Sequence, residues 1–310
     1  MAEPADAAAL AALAELYAEA RACGALLDLG ARARWRLAGA DRVRYLNGQV
    51  TNDIRRIPPG AAIAACVTTA KGRLCGVIFV SGGADSLRID TEGVLREPLA
   101  ARLERYIIAD DAELRDVTEE ECHFHLIGGA KPEGIAGAEI IAATRLGRPG
   151  YDILAPAAER AGLLAALGGA VLIPPALEEI LRIEAGIPRW GAELDEETLP
   201  AEAGLDATAI DFHKGCYIGQ EVISRIKSVG HVNRRLAGFT AAAPVAAGMT
   251  LHADSGAEAG RLTSAVWSFS LESWAALGYL KRGFADAALH ARSADGATVP
   301  VQIRDLPLVS

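Results

Sequence analysis

A thiol, a phenol, a carboxamide and a carboxylate fall within six residues in Lys214-Gly215-Cys216-Tyr217-Ile218-Gly219-Gln220-Glu221, the densest potential chemistry in this 310-residue chain. Gly215 and Gly219 bracket the thiol with residues that tolerate positive φ, as tight turns and binding loops require. Cys216 is the one cysteine set among polar neighbours, and His213, Lys214 and the arginines that follow favour its thiolate by Coulomb attraction. A thiolate can act as a nucleophile, a redox group or a transient cluster ligand. His213 reaches Cys216 if the loop turns helically, although no orienting third group completes a catalytic dyad. The run then continues through Arg225, Lys227, His231, Arg234 and Arg235. Such a run reads either as an anion-binding loop or as a solvated charged face.

The other cysteines, Cys23, Cys66, Cys75 and Cys122, lie in apolar or alternating segments and read as small hydrophobes. An odd total without a Cys-x-x-Cys pair indicates neither a disulfide framework nor a zinc knuckle. His123 and His125 share one face of a strand by the period of two, but no third ligand follows in sequence, so no metal is expected.

Positioning these groups requires a chain of two or three domains by length. Composition is ordinary for a globular protein, with 51% apolar and 23% charged residues. No run approaches the roughly 20 apolar residues of a membrane span, so no membrane partner is expected. Glu3, Asp6, Glu15 and Glu19 occupy the first twenty residues without a basic region, which reads as a cytoplasmic protein with no targeting leader. A net charge of −9 argues against general affinity for a nucleic-acid backbone, save through a local basic face.

Along the chain, periodicity predicts a helix over 7–27, a strand over 35–38 and a helix capped by Asp41. A meander over 61–69, 74–80 and 87–90, a helix over 98–108 and strands over 114–117 and 122–127 follow. A second unit beginning near residue 121 carries strands over 139–142 and 151–154, a helix over 157–167 and a strand near Val171. After Pro174-Pro175, Leu177, Ile180, Leu181 and Ile183 form a helical stripe that places Glu184 in the last turn, where the macrodipole disfavours a carboxylate. Residues 241–250 read as a spacer, and short strands such as 260–264, 276–280 and 299–303 close the chain as a small β-barrel or sandwich.

Three stretches together carry a resemblance: Tyr45-Leu-Asn-Gly-Gln-Val-Thr-Asn-Asp53, Leu181-Arg-Ile-Glu-Ala-Gly-Ile-Pro188 running on through Gly191, Asp195 and Leu199-Pro200, and the octapeptide 214–221. They resemble the YgfZ family, the folate-binding group related to the glycine-cleavage T-protein, with mitochondrial relatives that assist iron-sulfur cluster maturation. The resemblance runs from about Leu29 to about Lys281. It implies an α+β fold, a three-domain T-protein-like cloverleaf with two α/β-plait-type domains plus a C-terminal small β-barrel. Residues 1–120 together with 175–235 would form the first, folate-binding domain, 121–174 the second, and 241–310 the barrel.

The resemblance further implies tetrahydrofolate or a one-carbon derivative as cofactor. Glu184 matches the family's pterin-binding glutamate, and an ionised carboxylate can accept from both a ring N–H and an exocyclic amino group. The competing reading of Glu184 is a salt bridge to Arg182 or Arg189. Tyr217, Gln220, Arg225 and Arg235 are assigned to folate with it, the arginines toward its glutamate tail or toward a partner macromolecule. Lys214, Gly215, Gly219 and Glu221 complete the motif, and Cys216 is its functional thiol.

The function implied is a tetrahydrofolate-binding accessory protein supporting iron-sulfur cluster assembly or repair, and thereby iron-sulfur enzymes including tRNA-modifying ones. Its partners would be the assembly machinery or its client proteins. The alternatives are a folate-dependent one-carbon transferase, aminomethyltransferase-like or demethylating, and a non-catalytic interaction module with structural folate. T-proteins carry a catalytic aspartate at the start of the helix after the third meander strand; here Thr91–Leu99 places Pro98 there. Proline cannot transfer a proton, so glycine-cleavage chemistry is in doubt unless Glu97 or Glu92 substitutes, while folate binding is untouched.

Overall fold

A computed structural model describes residues 4–309, so Glu3, part of the targeting argument, lies outside the described residues. In chain order the elements are α1 (Pro4–Cys23), β1 (Ala25–Asp28), β2 (Ala33–Ala38), α2 (Arg42–Gln49), β3 (Ala62–Thr68), β4 (Leu74–Gly82) and β5 (Ser86–Thr91). Next come α3 (Arg96–Glu104), β6 (Glu113–Asp116), β7 (Glu121–Ile127), β8 (Glu139–Arg145), β9 (Arg148–Pro156), α4 (Arg160–Ala166), β10 (Val171–Leu172), α5 (Pro175–Glu184) and α6 (Gln220–Val229). The last strands are β11 (Arg234–Ala241), β12 (Thr250–Ala253), β13 (Glu258–Ser268), β14 (Ser273–Lys281), β15 (Leu289–Arg292) and β16 (Thr298–Arg304).

The strands form two five-stranded sheets, ordered β3-β4-β5-β2-β6 and β10-β1-β7-β9-β8, and a closed barrel β11-β14-β13-β12-β15-β16. Closure removes the unpaired edges that a set of short strands would otherwise expose. Alternation decides what each sheet covers. Trp35, Leu37, Ile78, Val80 and Ile89 of the first sheet pack under Tyr45 and Leu46 of α2 and Leu99 and Leu103 of α3. On β7, Cys122, Phe124 and Leu126 face Leu163 of α4, while His123 and His125 point to the opposite side. Tyr17 and Ala20 of α1 and Leu177 and Ile180 of α5 share a cluster with Leu27 of β1.

Several boundaries differ from the sequence expectation. The first helix ends at Cys23, not Leu27, because Gly24 takes φ +92 and the apolar run 25–28 becomes a strand. That strand pairs with β7 on one side and β10 on the other, so residues 25–28 belong to the second sheet and not to the first unit of 1–120. Burial on both faces explains its unbroken apolar character. The barrel begins at Arg234 and not after the 241–250 spacer, since β11 pairs with both β14 and β16. Asp41 makes no side-chain cap; its carboxylate instead accepts from the Asp111 N–H and pairs with Arg44 at 3.2 Å.

The two sheets meet through charge. Arg145, at the end of β8, pairs at 2.7 Å with Asp90 of β5 and at 2.7 Å with Asp152 of β9, and Asp152 also accepts His125 Nδ1 at 2.7 Å. Arg145, Asp152, His123 and His125 are all buried. Burial raises the carboxyls, but the Arg145 guanidinium outweighs it, holding Asp90 down to about 2 and Asp152 well below the usual carboxylate range. Burial depresses both histidines, so they are neutral at pH 7. These shifts set the pH response. A depressed histidine withholds a proton that the unfolded chain takes up below about 6.5, and the depressed carboxylates do the same below about 4. Stability should therefore be full near pH 7 and erode on acidification, first through the histidines and then toward pH 2 through Asp90 and Asp152. Arg145→Met, which leaves buried Asp152 without a guanidinium and Asp90 with Arg32 alone, should cost about 3 kcal/mol at pH 7 and flatten the acid limb, as read by urea denaturation between pH 3 and 7.

Candidate functional site

Residues 211–218 lie along the 47–52 segment, so two of the three family-like stretches are stitched together. Asp211 N–H donates to Thr51 O at 3.0 Å and Ile218 N–H to Gly48 O at 3.3 Å. The main fastener is Lys214. Its buried ammonium donates to the carbonyls of Asn47, Val50 and Asn52 at 2.6, 2.6 and 2.8 Å, placing it on the orphan carbonyls at the C-terminal end of α2. Three donors meet three acceptors, so no proton is left for an anionic ligand. Burial pulls the ammonium down to about 8 against the attraction of Asp53, and the three carbonyls work to keep it protonated.

Gly219 holds the other side. It adopts φ +90, and a Cβ there would stand 2.6 Å from Thr69 O and 2.7 Å from Thr68 Oγ1. Thr68 Oγ1 in turn donates to Ile218 O at 2.6 Å. The β3–β4 turn thus presses on this glycine directly. Gly215 differs from expectation: its φ is not positive and a Cβ there meets open space, so no turn demands a glycine. Between the two fasteners Cys216 is exposed. Tyr217 is buried with Ile210 and Ile223, and desolvation pushes its phenol up to about 12. His213 is exposed in an irregular segment, so the helical turn that would bring it onto Cys216 is absent.

The cationic run does not form one loop. Arg225 and Glu221 pair on the exposed face of α6 at 3.0 Å. Lys227 lies over the Phe212 ring at 4.8 Å, and Arg234 joins Glu202 at 3.0 Å and the Tyr279 ring at 4.3 Å. Arg235 is an exposed residue of β11, and Gln220 is the first residue of α6. Cys66 and Cys122 are buried as expected, with the Cys66 thiol pushed up to about 12 by desolvation, whereas Cys23 is exposed at the end of α1. The exposure follows from the helix ending there. Among the described residues no group of three or more His, Cys, Asp or Glu is arranged to hold a metal ion, His123 and His125 included.

Glu184 lies elsewhere. It is the last residue of α5 and 2% exposed. Its carboxylate accepts from Tyr17 OH at 2.8 Å and from Ser268 OH at 2.6 Å, tying α5 to α1 and to the barrel strand β13. Its carbonyl accepts from Leu308 and Val309 N–H. The salt-bridge reading fails, because Arg182 pairs with Glu179 and Glu193 and Arg189 with Glu179. Glu184 forms part of the wall of a cavity of about 510 Å³, within the size range of small-molecule pockets. The wall also includes Arg21, Cys23, Leu146, Arg148, Leu181 and the tail residues Pro307 and Val309. Tyr217, Gln220, Arg225 and Arg235 do not line it, nor does any other residue of the octapeptide. Glu184 and Cys216 therefore occupy separate places. Each carboxylate oxygen has one donor already and retains a lone pair for a ligand.

Residues 234–309, which contain the whole barrel, match the family described as the glycine cleavage T-protein C-terminal barrel domain. A putative chloroplastic transferase of Arabidopsis thaliana is 27% identical over 83% of this chain and 65% of its own length. The tRNA-modifying protein YgfZ of Sodalis glossinidius is 28% identical over 64% of this chain and 66% of its own. A mitochondrial iron-sulfur cluster assembly factor homologue of Pyricularia oryzae is 28% identical over 64% and 53%. These alignments span less than two thirds of each relative's length. The fold follows the crystal structure of aminomethyltransferase T from Bartonella henselae with a TM-score of 0.86, at 16% identity, over 96% of this chain and 89% of that one. This chain is thus similar to YgfZ and iron-sulfur assembly relatives, carries the T-protein C-terminal barrel and has the aminomethyltransferase fold.

The position read as the T-protein aspartate is here an exposed proline in the first turn of α3, where a missing N–H costs the helix nothing. Glu97 is exposed, and Glu92 lies 3.7 Å from Arg32. The sequence reading missed Tyr17, Ser268 and Arg148, whose meeting with Glu184 or its cavity is made by the fold alone. Two substitutions test the octapeptide frame. Lys214→Met, stranding three carbonyls, should cost about 3 kcal/mol, and Gly219→Ala about 2 kcal/mol or more by clash and positive φ, both read by chemical denaturation. Loss below about 0.5 kcal/mol in either would contradict the clamp.

Proposed function

We propose that this chain is a tetrahydrofolate-binding accessory protein that supports iron-sulfur cluster assembly or repair, with folate bound at the Glu184 cavity and Cys216 as its functional thiol. The observation carrying the folate reading is that Glu184, whose buried carboxylate has no cationic partner among the described residues, is one of the residues lining a cavity of about 510 Å³. Such a group suits a pterin edge, whose paired N–H donors would use the lone pairs that Tyr17 and Ser268 leave open. Tyr17 and Ser268 would hold the carboxylate in place, while Leu146, Leu181, Pro307 and Val309 would cover the rings. Folate, when bound, would supply a one-carbon carrier.

The names of the YgfZ and assembly-factor relatives support the iron-sulfur role. The role of Cys216 rests on presentation: Lys214 and Gly219 fix the backbone on both sides and leave the thiol at the surface, open to a partner protein. A proline in place of the T-protein aspartate weighs against aminomethyl transfer. The net charge of −9 favours reaching tRNA through a modifying enzyme. No helix among the described residues is long and apolar enough to cross a membrane.

Anaerobic calorimetry with tetrahydrofolate should show saturable binding by the wild type and about a hundredfold loss in Glu184→Ala, with both proteins giving the same folded circular dichroism spectrum. A folded wild type that binds no folate would refute the assignment. In a bacterial strain lacking its YgfZ-like protein, this chain should restore iron-sulfur enzyme activity and Cys216→Ser should not. Full rescue by the serine variant would exclude a role for the thiol.

A further inference from the structure

Three charged residues line the Glu184 cavity: Glu184, Arg21 and Arg148. Glu184 is held by two hydroxyls, and Arg21 lies over the Tyr17 ring at 5.7 Å. The Arg148 guanidinium, half-buried, has neither hydrogen bond nor ion pair among the described residues. Its position is strongly determined nonetheless. Arg145 and Arg148 face each other across a two-residue turn in which Leu146 takes φ 47 and Gly147 φ 69, the pattern of a type I′ hairpin.

Leucine is a costly residue in that conformation, and such strain persists only where the surroundings hold it. Here Leu146 packs against the cluster of Leu27, Leu177 and Ile180 while lining the cavity. A Cβ on Gly147 would lie 3.4 Å from Ala185 Cβ, so the turn rests beside Glu184 itself. Beside the turn two carboxylates serve Arg145, and among the described residues none serves Arg148. An unpaired cation in a partly desolvated wall favours an anionic partner.

We infer that Arg148 recognises a carboxylate of the ligand, so that the cavity takes a molecule with hydrogen-bond donors at the Glu184 end and a carboxylate at the hairpin end. This rests on the folate reading and deepens it: the carboxylate is that of the folate glutamate tail, and affinity depends on it. Arg225 and Arg235, which the sequence offers for the tail, do not line this cavity.

The test compares tetrahydrofolate with tetrahydropteroate, which lacks the glutamate, by anaerobic calorimetry on the wild type, Arg148→Gln and Glu184→Ala, after thermal unfolding confirms that each is folded. The wild type should prefer tetrahydrofolate by about tenfold, the scale of one charge-assisted hydrogen bond. Arg148→Gln should lose that factor for tetrahydrofolate alone and so abolish the preference, while Glu184→Ala should weaken both ligands. Equal affinities of the wild type and Arg148→Gln for tetrahydrofolate, with Glu184→Ala still impaired, would overturn the inference and leave the folate site standing. An equal loss for both ligands in Arg148→Gln would also overturn it. A folded wild type that binds neither ligand would overturn the folate reading and the inference together.

Discussion

A carboxylate removed from water at the C-terminal end of a helix is doubly unfavourable, by desolvation and by the helix dipole, and Glu184 tolerates both because distant segments converge on it. Tyr17 comes from the first helix, Ser268 from the barrel, and the Leu308 and Val309 N–H groups from the tail. Those elements must be in place before the group is satisfied. The joint therefore does more than hold a residue: α5, α1 and the tail also supply cavity wall around it. Beside it, Leu306 sits against Gly186 so closely that a Cβ there would come within 2.8 Å of the leucine side chain.

The octapeptide solves a different problem, that of fixing a surface thiol. A loop on the surface is ordinarily mobile, and among the described residues Cys216 has no side-chain partner that would order it. Order comes from backbone fasteners on both sides. Lys214 occupies carbonyls that the end of α2 leaves unpaired, and Gly219 lets the chain pass against the β3–β4 turn. The motif's lysine is thus explained by α2 and not by an anion. Its second glycine answers to a neighbouring strand turn.

Between these places the Asp90–Arg145–Asp152 bridge fixes one sheet against the other, with His125 completing it. Arg145 is the last residue of β8, so the buried ion network orients the β8–β9 turn, whose Gly147 lies against Ala185 next to Glu184. Rigidity of this kind suits a binding wall, because a ligand then finds its contacts without ordering them first.

Local chemistry was legible in the chain. Alternation gave the meander and the barrel strands, the apolar stripe gave α5, and the octapeptide with Glu184 marked the two places on which the proposed function rests. Sequence could not show that they are separate places, or that the cations after Cys216 divide between a helix and a strand. It misjudged β1, because an apolar run of four residues carries no period that distinguishes a helix end from a doubly covered strand. Gly215 looked as necessary as Gly219, since the need for glycine lies in what the chain passes. Tyr17, Ser268 and Arg148 carry no signature of their own. They matter through distance to Glu184, and packing of α1, the barrel and the β8–β9 hairpin sets those distances. The sequence by itself determined the elements and the reactive groups, because these follow from local periodicity and residue type; which groups meet was decided by tertiary structure, because burying one carboxylate required hydroxyls from opposite ends of the chain.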